Sequence, residues 1–159
     1  MENIRPRKSA QEITNWSIVF PNQANPNGYM FGGEVMAIMD ITAVMAAKRF
    51  SETDVSTVSM EAVHFAKPIY VGDNIKTTAK VVMAGTTSMM VITEVFRDIG
   101  DNQLEKCVSA FLTFVAFDES HTPTQIPELV IAEEDKSLHE IALTVKKSAT
   151  QRRNELHGI

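Results

Sequence analysis

The sequence predicts an α+β fold: a curved antiparallel sheet wrapped around one long buried helix, with a second helix at the C-terminal end. Three observations carry this reading. First, Gly32–Arg49 has helical length and is apolar on every side: Val35, Met36, Ala37, Ile38, Met39, Ile41, Ala43, Val44, Met45, Ala46 and Ala47. A helix with no polar face is covered by other structure. Second, the chain from Val55 to Phe117 breaks into long segments separated by short turns, the pattern of an antiparallel meander. Third, Leu138, Ile141, Ala142 and Val145 recur at helical spacing beyond a proline-containing linker. A strand, a buried helix and then four strands are satisfied together if the sheet curls around the helix.

The elements follow in order. Gln11–Phe20 reads as a short first strand. Pro21–Gly33 is a loop, because Asn22, Asn25, Asn27 and Gly28 form turns and Pro21 and Pro26 break regular structure. The strand Val55–Phe65 ends at Lys67-Pro68. Asn74–Ala84 alternates, with Ile75, Thr77, Ala79, Val81 and Met83 on one face and Lys76, Thr78 and Lys80 on the other. Gly85 marks a turn into Ser88–Arg97, and Gly100-Asp101-Asn102 marks the next, into Leu104–Phe117. Thr122–Pro127 is a linker, so the main domain is expected at 1–127 and a helical extension at 128–159. Ser137 and Glu140 have the spacing of a capping box at the start of the last helix.

At 159 residues and 44 % hydrophobic, the chain has the size and composition of one domain with a real core. A net charge of -5 speaks against a dedicated nucleic-acid binder, though not against a small anionic ligand. The apolar run Val35–Ala47 is far shorter than the roughly 20 residues of a membrane span, and it carries Asp40 near its middle. Cys107 is the one cysteine, and Met1–Ala10 is polar and charged with no signal-like apolar stretch. Together these point to a reducing cytoplasm. His64, His121, His139 and His157 are scattered and suggest no metal site, and no nucleophile elbow, phosphate loop or zinc-protease motif is present.

The chemistry concentrates in Asn25-Pro-Asn-Gly-Tyr-Met-Phe-Gly-Gly-Glu-Val-Met-Ala-Ile-Met-Asp40. Gly32-Gly33 opens a helix whose first N–H groups are unpaired and partially positive, and glycine lets a ligand come close to them. Such donors can stabilise a developing oxyanion, or the glycines can simply permit tight packing. Asp40 shares its helix face with Gly33, Met36, Ala37, Ala43, Val44 and Ala47. A carboxylate there is costly to bury unless it is paired or used as a base. Asn25 is a turn former whose amide could also orient a carbonyl or a water.

This stretch resembles the signature of hot-dog acyl-CoA thioesterases, closest to bacterial acyl-CoA hydrolases related to the brain-type cytosolic enzyme. Two further segments are similar to that family: Phe65-Ala-Lys-Pro-Ile-Tyr-Val-Gly-Asp73, and the turn Gly85-Thr-Thr-Ser88. The resemblance runs from about Ile18 to Phe117. It implies hydrolysis of acyl-CoA to fatty acid and coenzyme A. Asp40 would be the catalytic carboxylate, Gly32 the oxyanion-hole donor and Asn25 the polar residue ahead of the helix. Coenzyme A is then part of the substrate, and no cofactor is implied. Phe31 stands where many relatives have histidine, and Val44 and Ala47 stand where another branch has a hydroxyl. A hydroxyl to orient water must therefore come from elsewhere, Ser59 or Thr57 of the next strand. Gly33 and Phe31 would border the substrate. Thr86, Thr87, Ser88 and Lys67 are candidates for coenzyme A, with Lys76, Lys80 and the Lys146–Arg153 cluster as further basic groups.

Two other readings exist. Hot-dog dehydratases use a histidine near this helix, where this chain has Phe31. A non-catalytic acyl-CoA sensor would have little use for Asp40. Gly32 and Asp40 lie eight residues apart, which is roughly 12 Å along a helix axis. One protomer can hardly bring both to one carbonyl, so a homodimer with composite sites is expected. The resemblance suggests a trimer of such dimers.

Overall fold

The computed structural model describes residues 4–158. After a short strand β1 (Arg7–Ser9) comes β2 (Ile13–Ile18), then helix α1 (Gly32–Ser51). Four long strands follow: β3 (Asp54–Phe65), β4 (Asn74–Ala84), β5 (Ser88–Gly100) and β6 (Gln103–Phe117). The chain ends with β7 (Glu128–Val130) and helix α2 (Lys136–His157). The main sheet has five strands in the order β2-β4-β5-β6-β3, antiparallel throughout. This is the hot-dog fold.

Alternation along the strands places α1 on one face of the sheet. Ile75, Ala79, Val81, Met89, Val91, Val95, Leu112 and Phe114 point toward it and pack on Val35, Met39, Ala43, Ala46, Ala47 and Phe50. Val82, Met83, Met90, Ile92 and Phe111 point the other way and receive Leu138, Ala142 and Val145 of α2. Ile141, which shares their spacing, lies at the edge of that contact and stays half exposed. The helix α1 stops at Glu52, whose left-handed backbone (φ 58°) turns its N–H back to the Lys48 carbonyl at 2.8 Å. Lys48 and Arg49 in its last turn complement the helix dipole.

Three expectations need correction. The sheet does not wrap α1 on every side: Gly33, Ala37, Ile41 and Met45 form an exposed ridge, with Ile41 at 59 % exposure. Ser137 and Glu140 do not form a capping box, because α2 begins at Lys136 and its N-cap is Asp135, with no side-chain cap bond. Asp135 is instead ion-paired to Lys80 at 2.6 Å. Finally, Met83 does not share the face of Ile75, Ala79 and Val81, because the β4–β5 register slips between Val81 and Met83 and turns Met83 to the α2 side beside Val82. The β7 strand pairs in parallel with β1, a two-stranded sheet too short to leave a periodic signal.

Candidate active site

The Asn25 loop is built around its own side chain. Asn25 Oδ1 accepts the N–H groups of Asn27 (3.0 Å) and Tyr29 (3.2 Å), and the Asn25 N–H donates to the Tyr29 carbonyl at 2.7 Å. The oxygen is thus spent on the loop, which orients the amide NH2 as a fixed donor. Phe31 then delivers the chain into α1. Its carbonyl accepts from Glu34 and Val35, and no side chain caps the helix. The Gly32 and Gly33 N–H groups are left open.

The two glycines have different reasons to be glycine. A Cβ on Gly33 would meet the Phe31 ring at 2.7 Å, whereas one on Gly32 would only touch Phe65 at 3.5 Å. The Phe31 ring therefore lies along the first helical turn, 58 % exposed. Gly32 lines a cavity of about 240 Å³ with Tyr29, Val35, Phe65, Lys67 and Ile69.

Asp40 lies two turns further along, partly buried, and receives the Thr57 hydroxyl on Oδ1 at 2.7 Å. This is the bond that answers the cost of placing a carboxylate on an apolar helix. Thr57 can reach it because α1 runs antiparallel to β3, with Gly32 beside Phe65 and Asp40 beside Thr57. Of the two hydroxyls considered from sequence, Ser59 does not reach Asp40. The pairing of β3 with β6 slips between Thr57 and Ser59, so Thr57 opposes inward-facing Phe114 and Ser59 opposes Thr113. The bulge at Val58 reverses the alternation, and Ser59 faces the outer side of the sheet.

There Ser59 lines a larger cavity, about 700 Å³, between the sheet and α2. Ser88 lines it too, under Lys146, Arg152 and Arg153. The turn residues Thr86 and Thr87 spend their carbonyls on Ile126 and Ala116, each at 2.9 Å. Of the basic candidates, Lys67 is held by Glu105 at 2.6 Å. That hydrogen bond raises the Lys67 ammonium above its ordinary value and lowers the Glu105 carboxyl. Arg152 is tied to Glu61 at 2.6 Å. Cys107 is fully buried, and burial pushes its thiol up, as suits a core residue. Among the described residues, no three His, Cys, Asp or Glu side chains converge to hold a metal ion, and no helix is long and apolar enough to cross a membrane.

One protomer therefore brings Asp40 to Thr57, and Lys67 and the Asn25 partner Tyr29 to the cavity that Gly32 lines, but it keeps the carboxylate and the helix end apart. The sequence around these groups, and the fold that carries them, are similar to those of proteins of known class. The thioesterase superfamily model matches residues 27–102. An uncharacterised acyl-CoA thioester hydrolase of Zymomonas mobilis is 35 % identical over 130 residues, covering 80 % of this chain and 87 % of the relative. The chain belongs to the thioesterase superfamily.

Solved structures agree with this thioesterase in fold. The Staphylococcus aureus acyl-CoA hydrolase, determined with butyryl coenzyme A and coenzyme A, matches with a TM-score of 0.90 at 32 % identity, over 94 % of both chains. A hexameric acyl-CoA thioesterase matches with a TM-score of 0.86 at 30 % identity, over 92 % of this chain and 97 % of that one. The Staphylococcus aureus enzyme has also been solved with alanine in place of an asparagine, an aspartate or a threonine. The spacing of those three positions is that of Asn25, Asp40 and Thr57 in this thioesterase.

Proposed function

We propose that this thioesterase hydrolyses acyl-CoA to a free fatty acid and coenzyme A, at sites shared between the two protomers of a homodimer. The observation that carries the reading is the Thr57–Asp40 hydrogen bond. It fixes one carboxylate oxygen and leaves the other to act, on a helix whose N-terminus is an open pair of donors.

The thioester carbonyl oxygen sits on the Gly32 N–H of one protomer, with the Asn25 amide beside it. Asp40 of the second protomer attacks the carbonyl carbon, either directly or through a water that it deprotonates. Negative charge gathers on the carbonyl oxygen and is stabilised by the helix-end donors. Collapse breaks the C–S bond and coenzyme A leaves, taking up a proton; on the direct route water then hydrolyses the mixed anhydride left on Asp40, and on either route water supplies the acid's new oxygen. Gly33 and Phe31 border the thioester, and Lys67 stands in the same cavity as Gly32. Thr86, Thr87 and Ser88 remain the turn offered to pantetheine or phosphate.

Two features support the dimer. The apolar ridge of α1 lies exposed beside β3, and β3 is a 12-residue edge strand with one side unpaired. Long open edges are normally covered, and antiparallel pairing of two such strands sets the two helices side by side. The hexameric relative fits three dimers assembling further. The buried thiol of Cys107 suits a reducing cytoplasm.

The test is release of free thiol from palmitoyl-CoA, followed with a thiol dye. Turnover by the wild type and its loss in Asp40→Asn are expected. Binding of palmitoyl-CoA with no thiol release would contradict hydrolysis and favour a sensing module.

A further inference from the structure

We propose that Arg97, on β5 and outside the site described, is a positioning residue that fixes the Asn25 loop and the helix end at Gly32. The inference rests on the reading of those two residues as substrate-facing.

Arg97 lies opposite Glu105 in the β5–β6 ladder, and its Nε is 3.8 Å from the Glu105 carboxylate and 3.5 Å from Asp73 Oδ2. Its guanidinium carbon stands 4.9 Å from the centre of the Tyr70 ring, a cation–π contact. The same Asp73 oxygen accepts the Tyr70 N–H at 2.8 Å, so the Arg97 charge faces both the Tyr70 ring and the carboxylate that binds the Tyr70 backbone; Nε makes no hydrogen bond, and its hold on Asp73 is electrostatic. Lys67 is the other cation of this cluster, and it is engaged by Glu105.

The turn in turn carries the loop before α1. Tyr70 pairs with Tyr29 through a backbone bridge and an edge-on ring contact at 5.3 Å, while the Met30 N–H donates to the Ile69 carbonyl at 2.7 Å. Tyr29 is the residue whose N–H and C=O close on Asn25. Contacts therefore run without a gap from Arg97 through Asp73 and Tyr70 to Tyr29 and Asn25. The loop closes on itself through the Ala24–Met30 bridge and the Phe31 N–H to the Gln23 carbonyl, and Tyr29 and Met30 join it to this turn. A misplacement of about 1 Å at a reacting centre can cost on the order of 100-fold in rate.

The experiment is a double-mutant cycle of Arg97→Met and Asn25→Ala on acyl-CoA hydrolysis, with amide hydrogen exchange over residues 25–33. Arg97→Met should lower kcat about tenfold or more and leave KM within about twofold. In the Asn25→Ala background the same change should cost less than about twofold, because the two act through one loop. Exchange over 25–33 should accelerate in Arg97→Met, while β4 and β5 stay protected. Arg97→Lys keeps a charge near Asp73 but not the flat face over Tyr70, and should fall between. Additive losses, or unchanged exchange over 25–33, would overturn the proposal. If Asn25→Ala alone leaves turnover intact, the reading of Asn25 fails, and the exchange data still judge Arg97. Should Arg97→Met not fold, Asp73→Asn weakens the same latch from its other end and is scored by the same criteria.

Discussion

Asp40 has one oxygen held by Thr57 and none held by a cation. Among the described residues no ion pair involves it, so its charge is not spent on structure in the way that those of Glu105, Asp135 and Glu61 are. Asp40→Asn preserves the acceptor for Thr57 and removes the base. It should lower kcat by about 10²–10⁴-fold with the melting temperature unchanged or raised, since a partly buried charge disappears. Retention of more than about a third of wild-type kcat would take Asp40 out of the mechanism. Thr57→Val is the complementary change: the shape stays and the donor goes. With the carboxylate free to rotate, kcat should fall about tenfold, as expected for a mispositioned group, while KM stays close to wild type. A rise in KM with kcat intact would instead make Thr57 a binding residue.

At the scale of the elements, α1 does two jobs with one stretch of sequence. Its buried side closes the core through Met39, Ala43, Ala47 and Phe50, and its exposed ridge offers Ile41 and Met45. If that ridge lies in a dimer interface, Ile41→Glu should shift the protein to monomer in sedimentation and abolish turnover, with the circular dichroism unchanged. A variant that keeps both its size and its activity would place the interface elsewhere. The fold was legible because periodicity is a strong signal over long elements: α1, β4 and α2 appear close to where the pattern put them. The nearly apolar run of α1 could not say how much of its cover comes from its own chain, because burial by a partner and burial by the sheet demand the same residues. The hydroxyl partner of Asp40 was half legible. Thr57 and Ser59 share one parity in a regular strand, and only the bulge between them, which no residue in Thr57-Val58-Ser59 announces, sends them to opposite faces. The Arg97 cluster left no sequence signal either, since Asp73, Arg97 and Glu105 come from three segments joined only by the sheet register.

For the whole molecule, the proposed architecture rests on the distance between Gly32 and Asp40. Eight helical residues separate them by roughly 12 Å, and the structure leaves the helix end beside Phe65 and the carboxylate beside Thr57. Two-fold symmetry resolves this, because each of two antiparallel helices can present its Asp40 to the other's Gly32. In the proposed dimer two protomers make two sites, and neither makes one alone. The most direct test mixes Asp40→Ala protomers with Asn25→Ala protomers under conditions that exchange subunits. In each heterodimer one site carries both lesions and the other carries neither. Shared sites predict that activity climbs well above either parent, toward half of the wild-type value per heterodimer. Verified heterodimers that stay as inactive as their parents would contradict the shared site and return both groups to a single chain.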